Sequence, residues 1–283
     1  MLTNKQKCDF KDNGFIVLPG FKSAAELSAL KARANTIAAA HDFDDSQEVF
    51  STARQRGPQA DKGQDYFLDS GNEVRCFFEE KAFGADGALI QPLAQSINKI
   101  GHAMHDLDDV FRKFSHGEKL AELALDIGLG QTQIWQSMYI FKQPRIGGQV
   151  DWHQDASFFK TTPHSVTTFW FAVDDATLEN GCLWVEPGGH KTPLRQKFIR
   201  EGRQTKMIDL DKTPWPDTDS AVPVEVEAGT LVCFNGFLPH YSAPNISDKA
   251  RHAYTLHVTD AACDYAPENW IQRSKDFPIG GFV

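Results

Sequence analysis

The sequence is poor in cysteine, has no long apolar run and carries no excess of positive charge. Each shortage removes a class of explanation. Five cysteines (Cys8, Cys76, Cys182, Cys233 and Cys263) are scattered over 283 residues. Their number is odd, and no C-x-x-C occurs. This argues against a disulfide framework or a zinc–thiolate site and for a reducing compartment. No stretch approaches the ~18 consecutive apolar residues of a membrane span. The first residues, Met1-Leu2-Thr3-Asn4-Lys5-Gln6-Lys7, contain no apolar signal core, and Gly280-Gly281-Phe282-Val283 is not a peroxisomal tripeptide. The expected location is cytoplasmic. A net charge of −9 argues against nucleic acid or an anionic membrane surface as the partner. A small-molecule substrate remains, and one buried cation would suffice to recruit an anionic one. The oligomeric state is not legible; a monomer is compatible with everything present.

What is present is an ordinary globular composition, 41% hydrophobic and 24% charged. The length suits one large all-β domain or two smaller ones. Three helical patterns occupy the first 130 residues. Ser23-x-x-Glu26 forms a capping box ahead of the stripe Leu27, Leu30, Ala34 and Ile37. Leu93, Ile97, Ile100, Met104 and Leu107 form a second stripe, with Pro92 at its first turn. Ser115-x-x-Glu118 opens a third, through Leu120, Leu123 and Ile127. The polar stretch from Asp42 to Gly71 reads as loop.

From about residue 132 the pattern changes to short strands with turn signals between them: Gln133–Phe141, Thr167–Val173, Cys182–Val185 after the turn dipeptide Asn180-Gly181, the alternating Val222, Val224 and Val226, Thr230–Phe234 and Arg251–Val258. Such a series indicates a sandwich or jelly roll. Glu186–Ser220 interrupts it with mixed charge and four prolines. It reads as a lid-like excursion over the barrel mouth.

Candidate chemistry lies in three places. His153-x-Asp155 is one of two H-x-acid pairs, where chance placement of ten histidines and 38 acids predicts about one. In an extended segment its side chains share a face. The other pair, His116-x-Glu118, is accounted for by the helix start at Ser115. His240 lies further on, and Arg251 follows eleven positions later. Two histidines and a carboxylate are the ligand set of non-haem Fe(II) oxygenases. His102 and His105 are a rival pair at helical spacing. His190 reads as a turn residue, His252 and His257 as ordinary strand residues, and His41 and His164 have no informative context.

Several motifs occur in order: Gln136-Ser137-Met138-Tyr139-Ile140-Phe141-Lys142, His153-Gln154-Asp155, Asn180-Gly181-Cys182-Leu183, Pro187-Gly188-Gly189-His190-Lys191, then His240 and Arg251. Together they resemble the phytanoyl-CoA dioxygenase family. The likeness to its animal "domain-containing" branch extends to Ser96–His102, Asp175–Cys182 and Pro267-Glu268-Asn269-Trp270. The resemblance implies a mostly β fold with flanking helices, a double-stranded β-helix or cupin-like jelly roll. It implies one dioxygenase domain over 1–283: a largely helical part (1–130), a jelly-roll core (131–262) with a lid-like insertion (186–220), and a C-terminal tail (263–283). It implies Fe(II) held by His153, Asp155 and His240, with 2-oxoglutarate and O2 as cosubstrates. Arg251 and Ser242 would pair with the distal carboxylate of 2-oxoglutarate, and Lys99, Met138 and Trp170 would contact it.

A carboxylate at Asp155 also favours hydroxylation over the halogenation of relatives that lack it. Gly189 replaces a serine usual in the family, with no chemical consequence expected. The implied reaction hydroxylates an unactivated C–H bond of a small or lipid-like substrate and releases succinate and CO2. Substrate contacts are expected mainly from Gln47–Gln64 and Glu186–Ser220. The alternatives are a metal-dependent cupin-like hydrolase or isomerase, and a non-catalytic barrel that senses a metal or 2-oxo acid.

Overall fold

The aromatic and β-branched runs form strands, and most of the capped apolar stripes form helices. A computed structural model describes residues 1–42, 47–50 and 64–283. Its helices are α1 (Asn4–Asn13), α2 (Ala24–Ala39), α3 (Gln64–Asp69), α4 (Leu93–Ser96), α5 (Met104–Leu107), α6 (Asp109–Ser115) and α7 (Glu118–Asp126). Its strands are β1 (Phe15–Leu18), β2 (Val74–Phe78), β3 (Ile97–His102), β4 (Thr132–Ile140), β5 (Val150–His153), β6 (Thr161–Thr162), β7 (Thr167–Ala172) and β8 (Leu183–Val185). They continue with β9 (Gln196–Glu201), β10 (Gln204–Asp209), β11 (Val222–Val224), β12 (Leu231–Asn235), β13 (His240–Ser242), β14 (Ala253–Asp260) and β15 (Asp264–Tyr265).

Two antiparallel sheets build the jelly roll. The large one runs β1-β12-β7-β14-β4-β3-β2, and the small one β11-β8-β13-β5. Side chains alternate across each strand. On β14, Tyr254, Leu256 and Val258 point outward into a core shared with Leu27 and Leu30 of α2, Phe111 and Phe114 of α6, and Leu120 and Leu123 of α7. Thr255 and His257 point the other way, into a cavity between the sheets. Burying the outer face fixes the register, and register decides which residues reach the cavity.

The capping box at Ser23 is present, its side chain accepting from the Glu26 amide and Glu26 reaching back to the Ser23 amide. The other two helical readings need correction. Ile97–His102 is strand β3, with every residue buried. A register shift between Lys99 and Ile97 against β2 lets Ile97 and Ile100, three residues apart, both join the core. This breaks the period of two, and the isoleucines then fall by coincidence on helical spacing with Leu93, Met104 and Leu107. Ser115 ends α6, and its hydroxyl lies 2.7 Å from the Tyr254 hydroxyl. The next helix starts at Glu118 after Gly117, so Ser115 satisfies a buried tyrosine and not a helix start.

The excursion at 186–220 contains a hairpin, β9 paired with β10 across Gly202-Arg203. Gln196 and Met207 from this hairpin line the cavity. The segment 263–283 is anchored: Trp270 and Ile271 are buried, and Trp270 stacks on Phe67 at 4.5 Å. Of the polar stretch after Asp42, residues 43–46 and 51–63 lie outside the described residues.

The Asn180-Gly181 turn has a strict requirement. Gly181 has φ of 82°, and a Cβ there would lie 2.4 Å from the Ala243 carbonyl oxygen and 2.6 Å from Lys142 Cε. Gly181→Ala is expected to destabilise the protein by about 2 kcal/mol or more, which is about 4 °C or more in melting temperature. A melt within 1 °C of wild type, roughly a few tenths of a kcal/mol, would contradict this reading of the turn.

Candidate active site

The site begins with a strand pairing. β13 pairs with β5, and His240 stands opposite His153 in register. This brings residues 87 positions apart side by side, with ring centroids 4.0 Å apart. Each ring is held by a backbone carbonyl: His153 Nδ1 is 2.8 Å from the Asp151 oxygen, and His240 Nδ1 is 3.0 Å from the Leu238 oxygen. A carbonyl only accepts, so both Nδ1 atoms carry the proton and both Nε2 atoms present a lone pair.

Asp155 supplies the third donor. Strand β5 stops at His153, and Asp155 opens a short 3-10 turn, Asp155–Ser157. The turn, and not strand alternation, brings the carboxylate back over the histidines. Asp155 Oδ1 is 3.5 Å from His153 Nε2 and 3.7 Å from His240 Nε2. The three donor atoms all lie within 4.8 Å of one another.

Burial would raise the Asp155 carboxyl, but the neighbouring His240 and His257 outweigh it and hold the group well below the usual carboxylate range. Burial, and then His153, push His240 down to about 4. An ionised carboxylate and a neutral imidazole are the states a divalent cation needs. Two imidazole nitrogens and one anionic oxygen, beside a cavity that all three residues line, fit Fe(II).

Arg251 lies on the wall of the same cavity. It is only 2% exposed. Its Nη2 is 3.4 Å from Ser242 Oγ, while Nε and Nη1 are buried with no hydrogen-bond partner among the described residues. Burial lowers it to about 10, so it stays charged at neutral pH. A buried guanidinium with two idle donors is costly unless a carboxylate completes it.

Lys142, passed over in the sequence, donates to Ser242 Oγ at 2.6 Å and to the Gly148 oxygen at 2.7 Å. Burial, and then Arg251, press it well below the usual lysine range. Lys99 lies 3.8 Å from Met138 Sδ and over the Phe50 ring at 3.6 Å, with burial lowering it to about 7. The Trp170 ring faces Arg251 at 5.4 Å. All eight residues singled out from the sequence, His153, Asp155, His240, Lys99, Met138, Trp170, Ser242 and Arg251, line one cavity of about 150 Å³.

The remaining histidines are accounted for elsewhere, with two exceptions; His164 Nε2 meets Asn235 Oδ1 at 3.1 Å, and the His41 ring lies 5.6 Å from that of Phe78. His102 and His105 do not form a pair: His102 Nδ1 meets Ser70 Oγ at 2.7 Å on the cavity wall, and His105 Nδ1 meets Ser137 Oγ at 2.9 Å in the core. His116 caps α6 through the Arg112 oxygen. His190 sits in a 3-10 turn and meets the Lys11 oxygen at 3.1 Å. Its neighbour Gly189 would place a Cβ 2.4 Å from Glu186 Oε2, so the usual serine would require Glu186 to move. His252 meets the Tyr139 hydroxyl at 2.8 Å. The exceptions are His102, whose ring lines the cavity, and His257, which lies 3.4 Å from Asp155 Oδ2. The signal for His257 was its even spacing from Arg251 and Thr255 on one strand face.

With this geometry established, comparison with known proteins is decisive for the family. The phytanoyl-CoA dioxygenase family model matches residues 10–253. The chain belongs to the phytanoyl-CoA dioxygenase family. It is 43% identical to phytanoyl-CoA dioxygenase of Arabidopsis thaliana over 97% of this chain and 95% of that protein. It is 42% identical to phytanoyl-CoA dioxygenase domain-containing protein 1 of Bos taurus over 98% and 97%.

Among solved structures, the epimerase SnoN in complex with Fe3+, alpha ketoglutarate and nogalamycin RO aligns with a TM-score of 0.64 at 16% identity, covering 97% of each chain. EctD from S. alaskensis with bound Fe aligns at 0.61 and 19%, over 96% of this chain and 82% of that one. These likenesses concern the jelly-roll fold. Family membership with the His–Asp–His cluster in place makes the chain an Fe(II)- and 2-oxoglutarate-dependent dioxygenase, with O2 as cosubstrate. The hydrolase, isomerase and sensor alternatives fall away. No helix among the described residues is long and apolar enough to cross a membrane.

Proposed function

We propose that this dioxygenase, acting as one domain over residues 1–283, hydroxylates an unactivated C–H bond of a small or lipid-like substrate. His153 Nε2, Asp155 Oδ1 and His240 Nε2 hold the iron. Arg251 and Ser242 receive the distal carboxylate of 2-oxoglutarate, and Lys99, Met138 and Trp170 shape the space between. The observation that carries this reading is Arg251, a buried cation whose two unpartnered donors border the cavity of the histidine pair.

The spacing suits the ligand. His240 and Ser242 are two residues apart on β13, hence about 7 Å apart on one face, close to the length of a five-carbon dicarboxylate. The planar guanidinium makes two parallel charge-assisted bonds to a carboxylate, which orient the cosubstrate as well as bind it. When bound, iron, 2-oxoglutarate and O2 supply the oxidation: one oxygen atom enters succinate, with loss of CO2, and the other enters the substrate C–H bond.

The chain's own residues orient and exclude. Phe67, Phe158, Met207 and Trp270 give the cavity an apolar wall, which keeps water from the reacting centre and suits an apolar portion of the substrate. Gln196 and Met207 make the β9–β10 hairpin part of that wall, consistent with a lid that covers a bound substrate.

The test supplies Fe(II), 2-oxoglutarate and O2 to the protein with a panel of acyl-CoA thioesters, free fatty acids and small polar metabolites. It measures succinate and a product heavier by one oxygen atom. Equal amounts of the two with one substrate class support the reading. Succinate without oxygenation of any class would leave the proposed substrate class unsupported. No succinate at all would contradict the assigned site.

A further inference from the structure

Asp155 has two carboxylate oxygens, and the protein treats them differently. Oδ1 faces His153 and His240. Oδ2 faces the large sheet, where Thr168 Oγ1 donates to it and His257 Nε2 lies 3.4 Å away. Thr168 and His257 are register partners on the neighbouring strands β7 and β14. The next strand continues the row, because Gln136 of β4 is the partner of His257 on its other side.

Gln136 Nε2 lies 3.3 Å from His257 Nδ1. An amide nitrogen only donates, so Nδ1 accepts and the ring proton sits on Nε2, the nitrogen on the Asp155 side. Phe159 stacks on the His257 ring at 5.0 Å and 24°, which fixes the ring plane. All four residues are buried or nearly so.

We infer that Gln136, His257 and Thr168 form a cross-strand clamp on Asp155 Oδ2 that restricts this carboxylate to giving iron one oxygen. The inference rests on the proposed iron site. A carboxylate free to turn would chelate the metal through both oxygens and close one of the positions that the 2-oxo acid and O2 require. Two donors on Oδ2 prevent the turn and bias Oδ1 toward the histidines, as outer hydrogen-bond partners orient metal ligands elsewhere. His257 and Thr168 are therefore positioning residues.

The test is anaerobic titration with Fe(II) and with Co(II), whose visible spectrum reports coordination number independently of turnover. His257→Phe keeps the ring and removes the donor, and Thr168→Val keeps the shape and removes the hydroxyl. Each is expected to change the Co(II) spectrum toward higher ligand number and, because the freed carboxylate must then be ordered on binding, to weaken Fe(II) affinity by about 10- to 100-fold. His257→Gln, which retains an N–H donor, is expected to recover most of the affinity.

Folded variants with wild-type affinity and spectrum would overturn the clamp, and so would a His257→Gln variant as weak as His257→Phe. If His257→Phe does not fold, Thr168→Val carries the test alone. Wild type titrated alongside separates the two levels: metal uptake by wild type and unchanged uptake by the variants defeats the clamp only, whereas no uptake by wild type defeats the iron site itself.

Discussion

Arg251→Ala is expected to raise the 2-oxoglutarate dissociation constant by on the order of 10²–10³-fold while leaving Fe(II) binding unchanged. Removing one partner of a buried charge pair costs about 3–5 kcal/mol, and each 1.4 kcal/mol is tenfold in affinity. The same substitution should not destabilise the ligand-free protein by a comparable amount. There Arg251 is a buried cation whose Nε and Nη1 have no partner among the described residues, and its removal relieves a desolvation penalty. The combined signature is a melting temperature near wild type without ligand, and loss of the upward shift that 2-oxoglutarate gives wild type. Arg251→Lys should recover only part of the affinity, since a lysine cannot make the two parallel bonds. Calorimetric titration with 2-oxoglutarate measures the first effect. An affinity within threefold of wild type, less than about 1 kcal/mol, would remove Arg251 from the anchoring role.

His153→Ala is expected to abolish Fe(II) binding and, with it, succinate formation. The loss should exceed the 100-fold that marks the upper range for an outer partner, because a direct ligand disappears. The fold should survive. The His153 side chain is 22% exposed and, among the described residues, its one hydrogen bond beyond the cluster is to the Asp151 carbonyl. Losing it costs about 1 kcal/mol, or roughly 2–4 °C in melting temperature. Metal content after anaerobic loading, read beside a thermal melt, checks both halves. Stoichiometric iron in a folded His153→Ala protein would contradict the assignment.

How much of this was legible in the sequence differs by element. The strands of the jelly roll were visible because the two faces of β14, although both buried, differ in polarity: apolar Tyr254, Leu256 and Val258 face the core and alternate with Thr255 and His257, which face the cavity. Strand β3 was misread as helix because a register shift between Lys99 and Ile97 against β2 lets Ile97 and Ile100, three residues apart, both join the core, which breaks the period of two. The hairpin β9–β10 was hidden by its polar outer face and by prolines on either side.

Within the site, ligand identity was readable from residue types, but the geometry was not. The segment around Asp155 seemed to offer strand alternation, whereas a 3-10 turn presents the carboxylate. His240 meets His153 only through the β13–β5 pairing, which no local pattern encodes. Lys142 and Thr168 escaped notice because buried lysines and core threonines carry no spacing signature. His257 was dismissed as packing because its meaning depends on the carboxylate it faces across the sheet.

The central claim is that one cavity binds iron and 2-oxoglutarate together. The most direct measurement is anaerobic titration of the Fe(II)-loaded protein with 2-oxoglutarate, following the weak visible charge-transfer band of a chelated 2-oxo acid and then assaying succinate after O2 is admitted. The account predicts a saturable band that decays as succinate appears, and a much higher 2-oxoglutarate requirement in Arg251→Ala. Iron bound without any band would mean that the 2-oxo acid does not reach the metal, and would contradict the account.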